Sequence, residues 1–137
     1  MRKNSVVFFL VAALMISASV LMLSAQEKKA EAQSMAITGT LVDLACYAKA
    51  GLTTNDHGDM KNCGSACASG GLPVALLDAD KKVHFLGVPA AAYAEYVGKE
   101  LRLTGAHGKH AEVFIPEKLE VKEGDKWVQK KLPKTMM

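Results

Sequence analysis

Residues 73–105 read PVALLDADKKVHFLGVPAAAYAEYVGKELRLTG, and the order of elements in this stretch decides the fold. Residues 73–77 and 83–86 are short apolar runs separated by Asp78-Ala79-Asp80-Lys81-Lys82, the layout of a hairpin. Residues 89–97 then switch to helical spacing. Ala90, Tyr93, Ala94 and Val97 fall on one face, Pro89 suits a first helical turn and Gly98 suits the position just past the end. Residues 100–104 alternate again, with Leu101 and Leu103 pointing inward. The stretch therefore reads strand, strand, helix, strand.

Working outward, residues 36–44 (AITGTLVDL) are rich in β-branched side chains and form a first strand, apolar on both faces toward its end. Gly39 in its middle predicts a bulge or a sharp bend. A long connection follows. Residues 51–59 are loop by composition, and residues 61–69 predict a one- or two-turn helix stopped by Gly70-Gly71. After residue 105, Ala106 to His110 form a turn and residues 112–121 a last strand bent at Pro116. Gly124-Asp125 opens a tail in which Trp127 and Val128 pack back onto the body. The pattern is mainly β: a small five-stranded OB-like Greek-key barrel, with one helix between strands 3 and 4 and a short helix in the long connection between strands 1 and 2. The alternative is an open α+β sheet with the helix on one face. The domain spans residues 36–123, the tail 124–137.

The N-terminus sets the compartment. Met1-Arg2-Lys3-Asn4-Ser5 is basic, residues 6–23 carry no charge, and Leu23-Ser24-Ala25 ends the run with small residues. Residues 1–25 thus read as an export signal peptide, placing the rest in a periplasmic or secreted setting. The alternative is an uncleaved anchor, since eighteen residues at 1.5 Å rise reach about 27 Å against a hydrocarbon core of about 30 Å. Only then would the chain meet a membrane. Residues 26–35 are a polar, disordered leader. The whole chain has 137 residues, 17 Lys+Arg against 14 Asp+Glu, a net charge of +3 and three cysteines. Without residues 1–25 there remain 112 residues, and the loss of Arg2 and Lys3 lowers the charge to +1. A nearly neutral domain with 6% aromatic residues gives no case for nucleic acid.

All three cysteines, Cys46, Cys63 and Cys67, fall in the long first connection, together with His57 and Met60. Cys63 and Cys67 are four apart and share one face of a helix. One reading is a disulfide from Cys46 to Cys63 or Cys67, with the third thiol buried, in an exported domain. The other is a metal site of Cys46, Cys63, Cys67 and His57, a closed tetrahedral set suited to zinc; Met60 in place of His57 would favour copper. A thiol-redox role is the weaker third reading, because Cys-x-x-Cys is absent. In an OB barrel the connections between strands 1 and 2 and between strands 4 and 5 flank one ligand face, so His107 and His110 form a second candidate site. His84 reads as a surface or rim histidine. No nucleophilic triad and no phosphate-cradling glycine loop is recognisable, which favours binding over catalysis. The expected ligand is zinc, copper or an unidentified small ligand. A disulfide-stapled module would instead take an oligosaccharide, a peptide or an exported protein partner.

The stretches Gly39-Thr-Leu-Val-Asp43-Leu-Ala-Cys46-Tyr47 and Cys63-Gly-Ser-Ala-Cys67-Ala-Ser-Gly70-Gly71-Leu-Pro73 resemble a family of small exported bacterial proteins of unknown function. Its pattern is Asp-x-x-Cys-Tyr, then His-x-x-Cys-x-x-x-Cys, then Gly-x-Pro before an apolar strand. Residues 96–105 resemble its closing strand. The likeness spans about residues 37–121 and implies an OB-like exported domain, with no activity or cofactor attached. Met60 stands where the pattern places its histidine, and His57 lies three residues earlier.

Overall fold

The computed structural model describes residues 34–133. Residues 1–33, which include the expected signal peptide and most of the expected leader, and residues 134–137 lie outside the described residues. Six strands form one antiparallel sheet: β1 (Met35–Asp43), β2 (Val74–Leu77), β3 (Val83–Phe85), β4 (Glu100–His107), β5 (Phe114–Glu123) and β6 (Lys126–Lys130), in the order β3-β2-β1-β4-β5-β6. The mainly β expectation holds.

The five-strand count is corrected to six. Residues 126–130, expected to be tail, pair with β5 from Leu119↔Lys130 to Glu123↔Lys126 across the two-residue turn Gly124-Asp125. A hairpin with Trp127 on it satisfies backbone groups that a loose tail would leave to water. The Arg102 guanidinium sits over the Trp127 ring, 4.7 Å from its centre. Arg102 in turn grips Glu120 through two 2.9 Å bonds. The hydrogen-bonded ladder is also open. Its β3 side meets β5 through a parallel bridge between Leu86 and Phe114, where the Gly87 N–H donates to the Phe114 carbonyl at 2.9 Å.

β1 organises the sheet. Its first part pairs with β4, from Met35↔Gly105 to Thr40↔Glu100, and its last part with β2, from Thr40↔Leu77 to Asp43↔Val74. The strand changes partner at Gly39 and Thr40. A Cβ at Gly39 would overlap the Leu77 carbonyl, so glycine permits the crossing at the predicted bend. The bend expected at Pro116 is a bulge: Thr104 pairs with Lys118 and Gly105 with Pro116, leaving Glu117 as the extra residue.

Both faces of β1 are covered at its end, as the paired apolar pattern predicts. Leu41 joins Leu76, Tyr93, Leu101, Leu103, Phe114 and Leu119 in the main core. Val42 joins Ala75 and Leu77 on the other face, under Leu44 and Tyr47. The helix between β3 and β4 is a 3-10 helix, Ala90–Tyr96, and buries Ala90, Tyr93, Ala94 and Tyr96. Gly98 follows with φ 82, and its N–H donates to the Leu41 carbonyl at 2.8 Å, tying the helix end to β1. No helix among the described residues is long and apolar enough to cross a membrane.

Candidate metal centre

Two short helices carry the cysteines. α1 (Leu44–Ala50) begins directly after β1, and α2 (Cys63–Ser69) lies within the predicted helical stretch. α1 was not expected from the strand pattern. Asp43 starts it: the Asp43 Oδ1 accepts from the N–H groups of Ala45 and Cys46 at 2.8 and 3.1 Å. Gly51 stops it at φ 67, donating its N–H to the Tyr47 carbonyl at 2.7 Å. Cys46 therefore sits in a first turn fixed by a side-chain cap.

α2 is held from outside. Asn62, at its cap position, makes no side-chain capping bond. Asn55 does the work instead: its Oδ1 accepts from the Ser65 N–H at 2.8 Å and the Ser65 hydroxyl at 2.7 Å, and its carbonyl accepts from the Gly64 N–H at 3.0 Å. Gly64 lets α2 press on the 3-10 helix side, since a Cβ there would stand 2.6 Å from Val97 Cγ1. The sequence reading passed over Asn55. An asparagine eight residues before a helix has no local signature as its cap.

These supports bring the three thiols together. The Sγ atoms of Cys46, Cys63 and Cys67 all lie within 4.8 Å of one another. Each residue is half-buried, and all three are free thiols. Three thiolates bound at about 2.3 Å to a central ion stand about 3.8 Å apart in a tetrahedral site and about 4.0 Å in a trigonal one. A contraction of at most about 1 Å converts the thiol cluster into a ligand set. Burial foremost, then the Asp43 carboxylate, pushes the Cys46 thiol above its usual pKa. The Asp43 carboxylate foremost, then burial, pushes the Cys67 thiol up to about 12.

No histidine among the described residues falls within the 4.8 Å group. His57 is buried, with Nε2 2.9 Å from the Thr54 carbonyl and Nδ1 buried without a partner. Met60 is 61% exposed, and its backbone pairs with that of His57. His107 is exposed, edge-on to Phe114 with ring centres 5.5 Å apart, and His110 is exposed in the turn that follows. His84 is buried, against the rim expectation, because its Nε2 pairs with Asp78 Oδ2 at 2.8 Å. A hollow of about 270 Å³ between Thr38, Thr40, Thr53, Asp78, Lys81 and Glu100 includes none of the cysteines. No protein-family model, curated protein or solved structure matches the chain.

Proposed function

We propose that the protein is an exported, non-enzymatic metal-binding module that holds one zinc or copper ion through Cys46, Cys63 and Cys67. The observation that carries this reading is the convergence of three sulfurs, from two separate helices, within 4.8 Å. Soft thiolates select zinc and copper(I) over hard cations. The half-buried position of all three cysteines leaves an ion a way in. The N-terminal pattern and the resemblance to small exported proteins support a periplasmic or secreted location. An OB-like relationship is supported by β1 shared between two partners and by the parallel Leu86–Phe114 bridge between the β3 side and β5.

The test is titration of the reduced, metal-free chain with zinc and with copper(I) against a competing chelator. One equivalent of at least one of these ions binds tightly, and Cys46→Ser, Cys63→Ser and Cys67→Ser each abolish that binding. Retention of wild-type affinity by any one of the three variants would contradict the site.

A further inference from the structure

A second buried group adjoins the helix that carries Cys46. Asp43 is 2% exposed, and its two oxygens are used unequally. Oδ1 takes the two α1 N–H groups, whereas Oδ2 is buried with no hydrogen-bond partner. A buried carboxylate oxygen without a donor is costly, and native structures seldom leave one unexplained. The carboxylate lies beside the Cys46 and Cys67 thiols. A cation gathered by the neighbouring thiols would give that oxygen its partner.

We propose that Asp43 Oδ2 is the fourth ligand of the cysteine site, completing a tetrahedral three-sulfur, one-oxygen set for a divalent ion of the zinc type. This inference rests on the metal-binding reading and narrows it. The carboxylate is outside the 4.8 Å limit that unites the three sulfurs, so a four-ligand site needs these side chains to draw in around the ion. A trigonal copper(I) site is complete with three thiolates and has little use for a carboxylate, whereas zinc accepts carboxylate oxygen at about 2.0–2.2 Å. Three thiolates and one carboxylate also carry the same charge as a four-cysteine zinc site. One side chain thus does two things: Oδ1 fixes the helix that carries Cys46, and Oδ2 binds the ion.

Asp43→Asn and Asp43→Ser test this in the full, reduced chain, because both keep an oxygen to cap α1. Zinc and copper(I) affinities are measured separately. Zinc affinity is expected to fall by more than about tenfold, the lower bound typical of losing even an outer-shell partner. Copper(I) affinity is expected to stay unchanged, and the visible absorption of the cobalt(II)-substituted protein to shift. Parallel losses for both ions would mark Asp43 as merely structural and overturn the assignment. Unchanged zinc affinity would also overturn it. Binding of copper(I) without zinc by the wild-type chain would end this inference and leave the metal reading standing. Binding of neither would end both.

Discussion

Gly64→Ala isolates the contact that holds the cysteine helix in place. On an open helix surface the change would be favourable by about 1 kcal/mol. Here the new Cβ would stand 2.6 Å from Val97 Cγ1 and 3.3 Å from Asn55 Oδ1. Val97 is 3% exposed within the main core, so it has nowhere to go. Overpacking of this kind costs roughly 1–3 kcal/mol. Pushing Asn55 away also weakens its two bonds to Ser65, each worth about 1 kcal/mol. The balance is a loss of about 2 kcal/mol, or a melting point lower by about 8–16 °C for a domain of this size. Urea unfolding of the metal-free, reduced chain reads the change. A double-mutant cycle with Val97→Ala assigns the cause: the smaller side chain relieves the clash, so the double variant is more stable than the sum of the single losses, by about 0.5–3 kcal/mol. A Gly64→Ala chain as stable as wild type, or additivity in the cycle, would refute the packing of α2 against Val97.

Asn55→Ala removes the acceptor that caps α2 and is expected to cost about 1–2 kcal/mol in urea unfolding, with weaker metal binding in the same titrations as the cysteine variants. Asp78→Ala strips the acceptor from the Asp80 and Lys82 N–H groups and from buried His84, loosening the β2–β3 hairpin; a loss of roughly 1–3 kcal/mol is expected, and amide exchange there should speed up. Arg102 foremost, with Lys118, holds the Glu120 carboxyl down at about 2, below its ordinary 4.5. That contribution is full above pH 4.5 and is lost as pH falls toward 2, so Glu120→Gln flattens the fall in urea midpoint across this window.

Strong local periodicity made most of the sheet legible. The alternation at Leu101 and Leu103, the bend at Gly39 and the apolar face of residues 90–97 all follow from short-range pattern. α1 was lost because Asp43 completes the alternation of β1, although the same residue, followed by Gly51, also fits a helix between an acidic cap and a glycine stop. β6 was legible in principle from the two-residue Gly124-Asp125 turn, but its half-exposed strand lacks a clear apolar face. The cysteine site was legible in composition and not in geometry. Spacing placed Cys63 and Cys67 on one face, but only the turn from β1 into α1 brings Cys46 to them. The burial of His57 and His84 was invisible, since each pairs one ring nitrogen, Nε2, with a polar loop or turn that nothing in the sequence marks as covered.

The claim that three cysteines hold one ion meets its most direct test in protein recovered from the exported fraction without added metal or reductant. Elemental analysis and a thiol count in denaturant with chelator are made on the same sample. The account predicts about one zinc or copper per chain and three reactive thiols. One reactive thiol and no metal would contradict it and establish a disulfide in place of the metal centre.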